Sequence, residues 1–263
     1  AEAGYTGIEL GPVGFMPEDP VHVSDAFAEN GLEMIGGVVF RAFHDPAQWD
    51  DVLDGSKRTC EALVAHGAQH LVLIDSISPR RAPTAGRALE AKQMDVAEWA
   101  AYVTRFREIC KMGVDHGLTV GIHAHAAGFM DFEPELERLL GEIPEDLLQI
   151  CFDTGHHSYA GFDPIAFMKK WISRISYLHF KDIDPKVKAD VIGKRTGFYD
   201  ACGQGIFCNL GDGDVDFSAA RQLLLDNEFQ GWCTVEQDCD PTLDVRPVDD
   251  ARLNRTYLQS IGF

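Results

Sequence analysis

Apolar positions along this chain fall into short β-rich runs, most of them entered through a glycine that follows a helix end. The runs read "AGYTGIEL", "NGLEMIGGVVF", "HGAQHLVLIDS", "HGLTVGIHAH" and "QGWCTVEQD". A glycine just past a helix supplies the left-handed conformation that ends it. Two further runs, "LLQICFDT" and "ISYLHFKD", bring the set to seven predicted strands. Between them the apolar period lengthens to that of helices. The clearest case spans residues 95 to 116, where Val96, Trp99, Ala100, Val103, Phe106, Cys110, Gly113 and Val114 are read as one stripe. Strands alternating with helices imply a parallel sheet with helical crossovers.

Seven strands are one short of a (β/α)₈ TIM barrel, and the opening "AEAGY" reads as the tail of a helix already under way. The expectation is therefore an α/β TIM barrel whose first strand and most of whose first helix lie outside this sequence. An open doubly wound sheet is the alternative. No linker or charge block divides the chain, so residues 1–263 are expected to form one domain, a length usual for such barrels. The longest stretch read as irregular runs from about residue 183 to 215, and long loops in compact domains are commonly functional.

Composition narrows the function classes. With 42 acidic and 23 basic residues the net charge is −19, which repels nucleic acid and anionic lipid. No apolar run approaches the roughly 18 residues of a membrane span, and the opening lacks the pattern of a signal peptide. The seven cysteines form no CxxC pair, and Cys110, Cys151 and Cys233 sit in apolar periodic segments as reduced core residues. A cytoplasmic location is expected; assembly into a homo-oligomer stays open.

In a parallel barrel, function collects at the C-terminal strand ends. Here those ends read Glu9, His44, Asp75, His123 with His125, Asp153 with His156, His179 with Lys181 and Asp182, and Glu236 with Asp238. A lone Asp there is as often a helix cap, and a lone His a satisfied core residue. Four consecutive late strands ending in such groups are poorly explained as caps, and in a closed barrel the ends converge. A mixed oxygen and nitrogen set suits Mn²⁺, Fe²⁺, Co²⁺ or Zn²⁺ better than Ca²⁺ or Mg²⁺.

"FDTGHHSYAG", "YLHFKDID", "GQGIFCNLGDGDVDF" and "TVEQD" resemble the xylose isomerase-like TIM barrels, a superfamily of sugar isomerases, epimerases and apurinic endonucleases. Within it the chain most resembles the inosose (2-keto-myo-inositol) dehydratases; the early "AGYTGIELGPVGFMPEDP" extends the likeness along the whole chain. The resemblance implies a divalent metal, Mn²⁺ or Co²⁺ first and Fe²⁺ or Zn²⁺ next, held by Asp153, His179 and Glu236. Isomerases and epimerases usually add a glutamate from the strand "TVGIHAH", which has none; His123 takes that place, with His125 as rival.

That departure bears on the reaction. Epimerisation wants a carboxylate on each face of the substrate. Dehydration of a cyclic keto-polyol wants a metal to polarise the ketone, a base to take the α-proton to an enediolate, and an acid for the departing β-hydroxyl. The resemblance places His156 against the substrate, while His157 is read as structural. Lys181 is expected to bind a substrate hydroxyl or the enediolate, the alternative being a salt bridge with Asp153 or Glu236. His125 and Glu236 complete the expected catalytic group, and Glu9 is expected to bind a substrate hydroxyl or a nearby backbone group. "GDGDVDF" looks like a phosphate cradle, but Asp212, Asp214 and Asp216 oppose that, Lys194 and Arg195 offset them only partly, and an unphosphorylated polyol is favoured. Phe15, Phe40, Phe129 and Trp49 are read as a lid over a sugar ring or as plain core. The other readings are an isomerase or epimerase of the same superfamily, and a non-catalytic subunit of a larger enzyme.

Overall fold

The computed structural model describes residues 1–16, 19–238 and 246–263. Among them seven parallel strands form one sheet: β1 (Gly7–Leu10), β2 (Glu33–Arg41), β3 (His70–Asp75), β4 (Thr119–Ile122), β5 (Gln149–Asp153), β6 (Ile175–Phe180) and, after two short strands β7 (Asp182–Ile183) and β8 (Phe207–Cys208), β9 (Trp232–Val235). The helices between and after them are α1 (Pro20–Asn30), α2 (Trp49–Ala65), α3 (Val96–Asp115), α4 (Glu133–Glu142), α5 (Thr154–Tyr159), α6 (Pro164–Trp171), α7 (Pro185–Gly193), α8 (Phe198–Gly203), α9 (Phe217–Asp226) and α10 (Pro247–Ser260).

Sheet order follows chain order without reversal. A doubly wound sheet reverses at its switch point, so this is a barrel wall. It curls until β1 and β9 approach each other, without a backbone ladder between them among the described residues. The cleft that separates them holds about 610 Å³ and reaches from Trp232 and Phe263 up to Glu9, His179 and Glu236. No described helix is long and apolar enough to cross a membrane.

The long crossover helix α3 shows why the pattern is legible. Asp95 caps it by accepting from the backbone N–H groups of Ala97 and Glu98, and Glu98 returns the bond to Asp95, a reciprocal box. Its buried stripe is Trp99, Tyr102, Val103, Phe106, Ile109, Cys110 and Gly113. The sequence reading placed Val96, Ala100 and Val114 there and omitted Tyr102 and Ile109. Val96, 83% exposed, begins the helix beyond the reach of the sheet, and Ala100 lies one position off the stripe. At Gly113 a Cβ would stand 2.5 Å from Val120 Cγ2, so glycine is what lets helix and sheet approach.

Residues 183 to 215, expected to be irregular, carry structure. β7 and β8 pair antiparallel, and α7 and α8 lie between them in sequence. Two-residue strands and a six-residue helix leave no period to read. They are held by an apolar cluster of Tyr159, Ile183, Val191, Phe198, Ile206 and Phe207, which also packs Ala126 and Ala127 from the turn after β4.

That turn rests on Asp131, whose Oδ2 accepts the N–H of Ala127, a residue at φ 69°. Burial pushes the Asp131 carboxyl up to about 7, and its Oδ1 has no hydrogen-bond partner among the described residues. A folded-state value above the ordinary 3.8 means stability is fully present at low pH and is lost as pH rises through about 4 to 7. Asp131→Asn keeps an acceptor for Ala127 and removes the charge. The variant should therefore gain on wild type as pH rises, by about 3 kcal/mol between roughly pH 4 and pH 8. Urea midpoints at both pH values check this, and a pH-independent difference would refute it.

Candidate functional site

Four neighbouring strands end on one centre. Asp153 closes β5, His179 lies opposite it in β6, His123 follows β4, and Glu236 follows β9, its N–H donating to Phe180 O. His179 Nδ1 lies 2.8 Å from Glu236 Oε2. His123 Nε2 lies 3.5 Å from Asp153 Oδ2 and 3.7 Å from Glu236 Oε2. One atom from each of the four residues falls within 4.8 Å of all the others.

The polar atoms here are short of partners. Both ring nitrogens of His123 and Asp153 Oδ2 are buried without a hydrogen bond among the described residues, although an unmade bond at a buried atom costs about 1–3 kcal/mol. Asp153 Oδ1, by contrast, accepts the His156 N–H at 2.7 Å as the cap of α5, which turns Oδ2 to the centre. Two carboxylates and two imidazoles aimed at one buried point fit a divalent cation. Burial raises the carboxyls of Asp153 and Glu236, but Lys181 and the nearby histidines outweigh it and hold both below the ordinary range. Burial likewise opposes charging of His123 and His179. The carboxylates of Asp153 and Glu236 win at His123, and Cys151, Glu9 and Glu236 win at His179.

A second polar group stands beside the first. Lys181 lies two positions beyond His179 and is 1% exposed. Its Nζ is 2.9 Å from Asp238 Oδ2, 3.4 Å from Glu236 Oε2, 3.8 Å from Asp153 Oδ2 and 3.1 Å from His156 Nε2. Burial opposes the ammonium, but Asp238, Glu236 and Asp153 hold it charged. The rings of His125 and His156 face each other at 4.0 Å. The backbone N–H and carbonyl of Ala126 fix the proton positions of both. Its carbonyl accepts from His125 Nδ1 at 2.8 Å, leaving a lone pair on His125 Nε2. Its N–H donates to His156 Nδ1 at 3.2 Å, leaving the proton of the neutral His156 ring on Nε2. That proton faces the Lys181 ammonium, so two donors share a corner that has no acceptor between them. Burial, then the charges of His123 and Lys181, push His125 down to about 4; burial and the same cations with His125 keep His156 well below its ordinary value. Phe198 covers His125, and Phe207 covers both His156 and Lys181.

The remaining expected residues sort by their contacts. Glu9 places Oε2 2.9 Å from His179 Nε2. His125 lies outside the four-atom group, turned toward Ala126 and His156. His157 packs among Phe152, Phe162 and Phe167, with Nε2 3.4 Å from Glu133 Oε2, and burial pushes it down to about 4. Asp75 takes the His44 N–H and ring and the Phe129 N–H, which ties three loops together. The phosphate-cradle appearance of "GDGDVDF" is corrected. The N–H groups of Gly211, Gly213 and Val215 all donate to the carboxylate of Asp182, so the chain's own anion fills the nest. Lys194 and Arg195 pair with Asp190 and Glu90. Of the four aromatics, Phe40 meets His125, Phe129 and Trp49 belong to the core, and Phe15 is 80% exposed. Sequence reasoning names Asp238 only as a strand-end residue beside Glu236 and gives no role to Ala126, Phe198 or Phe207. Asp238, two positions past Glu236 as Lys181 is two past His179, carried a readable signal; the others carried none.

Residues 1–261 match the model of the xylose isomerase-like TIM barrel family. Among curated proteins the chain is similar to inosose dehydratase of Geobacillus kaustophilus, at 25% identity over 99% of this chain and 84% of the relative. It is likewise similar to inosose dehydratase of Erwinia tasmaniensis, at 29% identity over 98% of this chain and 86% of the relative. Among solved structures, the IOLI protein with a bound zinc atom superposes with a TM-score of 0.75 at 14% identity, covering 99% of this chain and 89% of that one.

Proposed function

The chain belongs to the xylose isomerase-like TIM barrel family, and from that premise we propose that it is a divalent-metal-dependent dehydratase. The substrate would be an unphosphorylated cyclic keto-polyol such as 2-keto-myo-inositol. The observation that carries the reading is the four-residue cluster with its orphaned buried atoms, set directly against the Lys181 and His156 donors. The names of the curated relatives supply the substrate class. His123, Asp153, His179 and Glu236 would hold the metal, Mn²⁺ or Co²⁺ first and Zn²⁺ or Fe²⁺ next. When bound, the metal supplies Lewis-acid polarisation of a ketone.

The chain's own residues account for the rest. A substrate oxygen placed between Lys181 Nζ and His156 Nε2 satisfies two donors that otherwise face each other. Lys181 then stabilises negative charge as it develops on that oxygen. His125 presents its Nε2 lone pair as base for the α-proton, with Glu236, the most exposed of the four, as a second acceptor. His156 Nε2–H is the acid for the departing β-hydroxyl. Glu9 Oε1 is left to accept a substrate hydroxyl. His123 standing where an epimerase would carry a carboxylate favours loss of water over proton return to the opposite face. Phe198 and Phe207 shield the corner from water, which strengthens each of these interactions. The six described cysteines are all unpaired, in keeping with a cytoplasmic enzyme.

Metal-reconstituted protein should convert 2-keto-myo-inositol to a product lighter by one water, with a new ultraviolet band from the conjugated carbonyl. Deuterium uptake from heavy water without that mass loss would move the assignment to an isomerase or epimerase. No reaction across a set of inososes with metal bound would reject the substrate class.

A further inference from the structure

We infer that Glu9 is a positioning residue for the metal centre: from across the cleft between β1 and β9 it fixes the ring and tautomer of His179. The inference rests on the metal reading above and adds a fifth residue to it, one that touches no metal.

The argument starts from which nitrogen of His179 faces where. Nδ1 is the atom turned toward Glu236 Oε2, and so toward the centre shared with His123 and Asp153. Nε2 points away from that centre and meets Glu9 Oε2 at 2.9 Å. A cation held at Nδ1 displaces the proton there, and the one proton left on the ring then sits on Nε2, where the Glu9 oxygen accepts it. The lone pair is thereby placed on Nδ1, the state a ligand to a cation needs. Without that acceptor, a neutral His179 is free to keep its proton on Nδ1, where it would bond Glu236 and close the site against a cation.

The backbone is built for this contact. Along the β1–β2 ladder Ile8 pairs with Met34 but Glu9 pairs with Gly36, so Ile35 is an extra residue and the strands bulge at Glu9. Bulges re-aim side chains, and they recur beside functional sites. The partner has to be glycine here, because a Cβ on Gly36 would stand 2.9 Å from His70 O. Glu9 itself is only 13% exposed. β1 has no ladder to β9 among the described residues, and this bond crosses the cleft at that open seam. Tyr177 and His123 pack edge-on against the His179 ring at 5.2 and 4.9 Å, and the bond to Glu9 adds to that packing a partner for Nε2.

The test is a metal titration that needs no substrate. Metal-free wild type, Glu9→Ala and Glu9→Gln are titrated with Zn²⁺ and with Mn²⁺ against a chromophoric chelator, and melting of the metal-free proteins confirms that each is folded. Removing such an outer hydrogen-bond partner typically weakens metal affinity about 10–100-fold, and that loss is expected for Glu9→Ala. Glu9→Gln keeps an acceptor oxygen and the side-chain volume, and should recover most of the affinity. Equal affinity in wild type and Glu9→Ala would overturn the inference, the more so if the Michaelis constant for the ketone rose, because Glu9 would then be a substrate contact alone. Wild type that binds neither metal would sink the metal reading itself, a distinguishable failure.

Discussion

Replacing Asp153 with alanine should abolish metal retention and cut turnover by at least about a thousandfold, while the chain stays folded. The size follows from what is removed. Lewis-acid stabilisation of developing charge is worth several kcal/mol, and each 1.36 kcal/mol is about tenfold in rate. The selectivity follows from the two oxygens of one carboxylate. Oδ1 caps α5 through the His156 N–H, and Oδ2 is the orphan that faces the centre. Alanine removes both, and the lost cap costs about 1 kcal/mol of stability. Asp153→Asn separates the two roles: it keeps an oxygen for the cap and removes the charge the cation requires. Glu236→Ala is the complementary variant, since Glu236 caps none of the described helices. Metal content after dialysis and kcat/KM on the candidate ketone provide the measurements. Full metal occupancy with normal turnover in both the Asp153 and Glu236 variants would mean that the cluster is only a buried hydrogen-bond network.

How much of this was readable in advance depends on the distance over which each cause acts. The seven strands and their end residues came from local period and glycine punctuation, and those signals survive because every strand of a parallel barrel is buried on both faces. The choice between His123 and His125 could not be made locally. Both have the parity of one strand face, so a strand continuing through both would send both inward. β4 stops at Ile122, and the backbone turns at Ala126 and Ala127, which leaves His123 on the centre and swings His125 toward His156. The "GDGD" loop misled for a similar reason. Glycine amides announce an anion site, but not that the anion is Asp182, about thirty residues earlier in the chain. The cap over the site was unreadable because Phe198 and Phe207 gain burial only from partners brought by other elements. The tautomers set by Ala126 belong to a backbone peptide, on which sequence is silent.

Lys181→Met should keep the metal, lower kcat by about 10²–10³-fold and move KM far less, the range expected when one preorganised donor to a developing anion is lost. Methionine matches the length and apolar stem of lysine, and Phe207 already packs over the Nζ, so the variant removes charge and donors with little change of shape. The structural alternative, in which Lys181 only neutralises acids, makes a different forecast. Nζ lies within 4 Å of Asp238, Glu236 and Asp153, and removing one partner from a buried charge group typically costs about 3–5 kcal/mol. That penalty should be largest in the metal-free protein, where no cation compensates Asp153 and Glu236, and should shrink once metal is added. Melting temperatures with and without metal therefore isolate the charge-balancing role, and kcat at saturating metal isolates the chemical one. A variant with a lowered metal-free melting temperature but unchanged kcat would assign Lys181 to charge balance alone and take it out of the reaction.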